Sequence, residues 1–237
     1  MFIKKTNKKR SINPKHQFNC VYDYIIDIIK DVDKETAILF CDYVIDIMCK
    51  NIESNMQLDF INQNVDDFVL SFHENEYENK NSYSPYIWFP VGVTVNGKRI
   101  NIETDSTVDV DLAKCHLFCN TRKTNSLLKL LEKISNSGFH FDKDRHRAMY
   151  IEYLNICTFV NDGVHSLSIA HHLQQGKITA KLMDITAIFP YISTDGDCWY
   201  VNGDTHNEYI AKDYRFCLVY EIAKLKYSLE YNEKDNK

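Results

Sequence analysis

Four residues within one short stretch have the types and spacing for phosphate chemistry. They are Asp162, Gly163, His165 and Ser166, in the run ICTFVNDGVHSLSIAHHLQQGKITAKLMD from Ile156 to Asp184. Glycine can take the positive φ that a sharp strand-to-helix turn needs. Such a turn aims backbone N–H groups at one point, where a phosphate or carboxylate can sit. An imidazole titrating near pH ~6.5 can contact phosphate or transfer a proton. His165 could equally cap the helix or bond a carbonyl, Ser166 could be a plain N-cap, and Asp162 a turn-former.

The elements that must hold this turn are legible around it. Ile156, Thr158 and Val160 alternate as β-formers and predict a strand. A turn follows at Asp162-Gly163, and a helix opens near His165-Ser166. Leu167, Ile169, Ala170 and Leu173 form its apolar face, Gly176 its stop, and a second strand comes after. Upstream, Thr107–Leu112 predicts a strand and Asn125–Ser135 a helix, with Gly138 just beyond. The loop between them carries Arg122 and Lys123, which could neutralise a bound anion. Lys143–Leu154 fits either helix or strand.

The remaining chain divides by period. Phe18–Lys30 and a second segment capped by Asp33 carry helical apolar stripes and predict an αα-hairpin. A short helix is expected over Asn64–Phe72, then a polar, acidic linker over Glu74–Ser84. The expected division is residues 1–80, helical, and 81–237, mixed. Asn96-Gly97 between Ile87–Val95 and Lys98–Thr104 is a hairpin signal. Asp184–Ile192 predicts a strand, Asp195-Gly196 a turn into Cys198–Val201, and Tyr214–Tyr227 a closing helix, with the end beyond Glu230 frayed. The fold class is therefore α+β: a helical N-terminal segment, then a mixed sheet with helices.

Other reactive residues give weaker patterns. Cys115, His116 and Cys119 could contribute to a zinc site, but with no second pair, buried thiols are the simpler reading. Asp142, Asp144, Glu152 and Asp184 are candidate carboxylates for Mg²⁺, and Asp195, Asp197 and Asp204 form a second acidic group. Turn formation explains acids near glycines equally well. Arg145, His146 and Arg147 could touch phosphate or form a solvated basic face. His171 and His172 are adjacent, so they point to different sides of a helix and make poor joint ligands.

Composition narrows the classes. The formal charge of −5 disfavours a wholly nucleic-acid-coated surface but permits a local basic patch. No apolar run reaches the ~18 residues of a membrane span, so no membrane partner is expected. Met1–Arg10 is basic without an apolar run behind it, which reads as a solvated tail and not a secretory signal. The eight scattered cysteines, with no CxxC, then predict free thiols in a cytoplasmic protein. The apolar N-terminal helices leave oligomerisation open.

The order from Thr107 to Asp184 resembles the core of the ParB/sulfiredoxin superfamily, in which a strand meets a D-G-x-H-R or G-E-R-R-x-x-A turn and a helix with small residues. The matching residues are Asp162, Gly163, His165, Ser166, Ala170 and Gly176. Asn161–Ser166 is also similar to a bacterial N-G-N-H-S form of the turn. The resemblance spans a third of the chain and excludes the N-terminal helices. It implies a ParB/sulfiredoxin-like mixed sheet and a nucleotide or nucleic-acid phosphate held at Gly163 and Ser166. It further implies His165 and Asp162 in catalytic positions, Arg122 and Lys123 against the phosphate, and a divalent cation such as Mg²⁺ for phosphoester or nucleotide hydrolysis or phosphoryl transfer. Two departures limit it. Val164 stands where sulfiredoxins have their nucleophilic cysteine, so sulfinic-acid reduction is not expected. Ser166 replaces a phosphate-binding arginine, losing its bidentate charge. The alternative is an interaction protein that retains the fold without the activity.

Overall fold

The structure, a computed structural model, describes residues 13–62, 88–119, 124–159, 163–201 and 204–231. The expected Asn64–Phe72 helix and the Glu74–Ser84 linker lie outside the described residues, as do Asp162, Arg122 and Lys123.

Two long helices come first. Helix α1 (Pro14–Lys30) begins four residues before the predicted start, because Asn13 accepts the Lys15 N–H and Pro14 opens the first turn. Helix α2 (Lys34–Asn62) is started by Asp33, whose carboxylate accepts from the Thr36 N–H at 2.8 Å. Strands β1 (Gly92–Val95) and β2 (Lys98–Asn101) form the expected hairpin. Asn96 and Gly97 both take positive φ there, at 50° and 76°, as a tight two-residue turn requires.

The central sheet has five strands. In space they run β3 (Glu103–Asp111), β7 (Lys177–Met183), β5 (Ala148–Ile151), β6 (Ile156–Phe159) and β4 (His116–Phe118). β4 and β6 are parallel, as are β5 and β7, and the other pairs are antiparallel. Helix α3 (Thr124–Ser137) joins β4 to β5, and α4 (Val164–His172) joins β6 to β7. The ambiguous Lys143–Leu154 resolves into a turn, the strand β5 and a short 3₁₀ turn over Glu152–Leu154. A second sheet of three antiparallel strands, β8 (Ile192–Thr194), β9 (Cys198–Val201) and β10 (Asp204–Ile210), precedes helix α5 (Tyr214–Tyr231).

Alternation along the sheet feeds two apolar layers. Ala148, Cys157, Ile178 and Ala180 face Leu167 and Ala170 of α4. Met149, Ile151, Ile156 and Met183 belong to a larger core with α1, α2 and α5. Helix α5 is the centre of that core: Phe216–Tyr220, Ile222 and Ala223 are all buried. A helix apolar around most of its circumference must be enclosed, and α5 packs against α1, α2 and β8.

Two local expectations are corrected. Asp184–Ile192 is not one strand. The Asp184 carboxylate accepts from both the N–H and the hydroxyl of Thr186 and caps a 3₁₀ turn over Ile185–Ile188, leaving only Ile192 to begin β8. Gly176 does not cap α4. Gln174 takes the left-handed conformation there, with φ 52°, while its N–H bonds His171 O and the Gln175 N–H bonds Ala170 O. Gly176 instead lies against Phe139, whose ring would sit 2.5 Å from an added Cβ.

Candidate functional site

The predicted strand, turn and helix are present, and Gly163 is the N-cap of α4 with φ 97°. Its carbonyl accepts the Leu167 N–H at 3.1 Å, the first bond of the helix. Helix geometry leaves the first-turn amides of Val164, His165 and Ser166 without an acceptor inside the helix. Glycine has no side chain with which to cap them. His165 is half-buried on this first turn.

The residue that holds the turn is His146. Sequence placed it in a solvated basic spot, yet it is 5% exposed, while Arg145 and Arg147 on either side are in solvent. Its Nδ1 accepts the Asp142 backbone N–H at 2.9 Å, so that nitrogen carries no proton. Its Nε2 therefore carries the hydrogen, donated to Ser166 Oγ at 3.0 Å, and the Ser166 hydroxyl donates to Gly163 O at 2.8 Å. The ring also lies beside Phe139 and Phe141, at 5.2 and 5.8 Å between centroids. Burial lowers the His146 pKa below its ordinary value, against the opposing pull of Asp142. A Cβ on Gly163 would come 2.5 Å from His146 Cδ2 and 3.1 Å from Arg145 O. Two requirements thus fix glycine here: its φ, and the imidazole packed on its face.

The sheet sets where the other expected residues attach. Phe118 of β4 pairs with Thr158 of β6 in parallel register. Cys119 and Phe159, the last described residues before 120–123 and 160–162, accordingly lie at the same end of two neighbouring strands. Those segments carry Arg122, Lys123 and Asp162.

At the other end of α4 lies a polar cluster that sequence did not reveal. His171 Nδ1 meets Leu112 O at 2.5 Å, and Nε2 meets the Glu53 carboxylate of α2. Both partners are acceptors, so both nitrogens must carry hydrogens and the ring is an imidazolium. Burial opposes that charge, but the Glu53 hydrogen bond and charge, helped by the Leu112 carbonyl, outweigh it and raise the pKa. His116 on β4 stands 3.9 Å from the second Glu53 oxygen and 3.4 Å from Asp46. Its pKa is lowered by burial, which exceeds the pull of those acids. Glu53 is only 8% exposed. A signal for it existed: it is an acid among Cys49, Ile52 and Met56, which are all buried on the same helix.

The sulfurs and acids take structural places. All eight cysteines are free thiols, with Cys20 exposed, Cys198 half-buried and the rest buried. Cys119 bonds Ser168, and burial pushes its pKa to about 12. The Cys157 hydrogen bond draws the Cys115 thiol below its ordinary value. His116 instead faces α2, so the Cys115–His116–Cys119 group does not converge. Among the described residues, no three His, Cys, Asp or Glu side chains are grouped to hold a metal ion. Asp142, Asp184 and Asp195 accept backbone N–H groups in their own turns.

These features define an α+β protein with a glycine-started helix between two sheet strands, pinned by a neutral histidine at one end and a charged one at the other. The family of unknown function DUF6710 matches residues 3–233, and the chain belongs to that family. No curated protein and no solved structure matches it. No described helix is long and apolar enough to cross a membrane.

Proposed function

We propose that the chain binds a phosphate of a nucleotide or nucleic acid where α4 begins. The observation that carries this reading is Gly163 as N-cap at φ 97°, which leaves the first-turn amides of α4 without a side-chain cap from that residue. The shared end of β4 and β6 supports it, since ligands of open sheets favour the carboxyl ends of parallel strands. So does the order of β3, α3, β6, α4 and β7, the strand and helix order on which the resemblance to a ParB/sulfiredoxin-like core rests, with β4 and β5 added to it. In this reading the amides hold the phosphate, while Arg122 and Lys123 neutralise it. His165 moves a proton, oriented by Asp162, and Mg²⁺ is the expected ion if hydrolysis follows. Ser166 contributes its backbone N–H alone, because its hydroxyl is already committed to His146 and Gly163. That commitment favours the second reading, an interaction protein that binds without turnover. The eight free thiols suit a reducing, cytoplasmic setting. Leu39, Tyr43 and Ile47 are exposed along one face of α2, a surface for self-association through the N-terminal helices.

A thermal-shift series with nucleoside triphosphates and a short single-stranded oligonucleotide, with and without Mg²⁺, tests the site. A ligand at 100 times its Kd adds about 2.7 kcal/mol to stability. His165→Ala should melt like the parent but respond less to ligand or lose turnover. Binding without turnover in the parent selects the interaction protein. If no phosphate compound shifts the melting temperature, the site is withdrawn.

A further inference from the structure

We propose that the outer face of α1 carries half of a zinc site, which two copies of the chain complete together, each giving His16 and Cys20. The two residues stand at i and i+4 on α1, so their side chains share one face of the helix. Both are exposed, opposite the buried Phe18 and Ile25. Two ligands at this spacing are what one helix face can offer a single metal ion.

The distances fit that use. Cys20 Sγ lies 3.8 Å from His16 Nδ1 and 3.7 Å from Nε2. Zinc takes thiolate sulfur at about 2.3 Å and imidazole nitrogen at about 2.0–2.1 Å in a tetrahedral array, which sets two such donors about 3.6 Å apart. The pair therefore already stands at the bite of one ion. Its near-equal distances to both nitrogens place the sulfur over the ring, so the imidazole must turn about χ2 to aim one nitrogen. That torsion is broad for histidine, and the ring's hydrogen-bonding contacts among the described residues are with Cys20 alone.

Zinc bound by nitrogen and sulfur takes four ligands. Among the described residues no third His, Cys, Asp or Glu joins this pair, so the site is incomplete within one chain. A twofold axis through the ion repeats the pair and supplies two sulfurs and two nitrogens. Charge favours that closure. Each thiol releases its proton on binding, and two thiolates balance the two charges of Zn²⁺, so no net charge is enclosed between the copies. Lys15, the neighbouring cation, is held by Asp195 at 2.6 Å. Tyr24, one turn beyond Cys20, is 66% exposed and offers the facing copy an apolar surface beside the ion. The site rests on neither the α4 turn nor the apolar stripe of α2.

The test uses the full chain, freed of metal and kept reduced by a phosphine. Co²⁺ serves as the spectroscopic substitute for Zn²⁺. Its titration should produce thiolate-to-cobalt absorption in the near ultraviolet and the visible bands of a tetrahedral ion, saturating at one ion per two chains. Zn²⁺ should bleach these bands by displacement and, in sedimentation velocity, double the mass of the sedimenting species. Cys20→Ser should lose the near-ultraviolet band. Cys20→Ser and His16→Gln should each lose the zinc-dependent change in mass while melting like the parent, because both side chains are exposed. Cys198→Ser, at the half-buried thiol, should keep every signal. The proposal is overturned if no thiolate-to-cobalt absorption appears, or if it survives Cys20→Ser. It is equally overturned if the site saturates at one ion per chain, or if zinc changes the mass of both variants as it does that of the parent.

Discussion

The two ends of α4 use the same residue type in opposite charge states. At the N-terminal end, His146 meets a backbone N–H with one nitrogen and a hydroxyl with the other, and is neutral. At the C-terminal end, His171 meets a carbonyl and a carboxylate, and is charged. Burial disfavours the cation in both places. What differs is the partners: a donor aimed at a ring nitrogen excludes a proton, and two acceptors demand one. The neutral end is a packing device that fixes the glycine turn against the ring. The charged end is a clamp that joins α4 to α2 at the sheet edge formed by β4.

The largest way to break this contrast is at Glu53. Glu53→Ala removes the acceptor that holds the His171 proton, and the loss of that buried charged hydrogen bond should cost about 1.5–3 kcal/mol, read from the midpoint of urea denaturation. A change no greater than at an exposed glutamate would mean that His171 is neutral after all. Next comes Gly163→Ala, which should cost at least about 1–2 kcal/mol from backbone strain alone. Measured again in a His146→Ala background, part of the cost should vanish, with a coupling of about 0.5 kcal/mol or more. Strict additivity would show that the ring is not what meets the new methyl.

The gentlest test is pH. The folded pKa of His171 is raised above 6.5, so its contribution is full below 6.5 and is lost as pH rises through the folded value. That of His146 is lowered, so its contribution is present above 6.5 and is lost as pH falls through the folded value. Imidazole titration by NMR should place the two histidines on opposite sides of 6.5, and Glu53→Gln should pull His171 back while leaving His146 where it is. Two histidines titrating together would erase the distinction.

Local signals were the most legible part of the sequence. The Asn96-Gly97 hairpin, the Asp33 cap and the Gly163 turn each follow from a residue that acts on its own backbone, so neighbours in sequence suffice to read them. His146 was misread because its neighbours in sequence are arginines while its partners, Gly163 and Ser166, lie in a separate element. Asp184 looked like part of a strand because the apolar run behind it is β-rich, and its capping bond to Thr186 was the competing local choice that won. The His171–Glu53 pair was invisible for a different reason. It joins residues far apart in the chain, and only the packing of α2 beside β4 brings them together.

Helix α5 has a consequence for how the chain is made. It is the last described element, yet it fills the core that α1 and α2 line from the first quarter of the chain. During synthesis at about 5–20 residues per second, the N-terminal helices emerge roughly 8–30 seconds before their partner. Phe18, Ile25, Ile45 and Ile52 have no α5 to cover them in that interval, and a ribosome that stops before Tyr214 releases a chain whose main core lacks its centre. The order of translation thus leaves the apolar faces of the early helices uncovered until α5 emerges, and makes completion of the core wait on that helix.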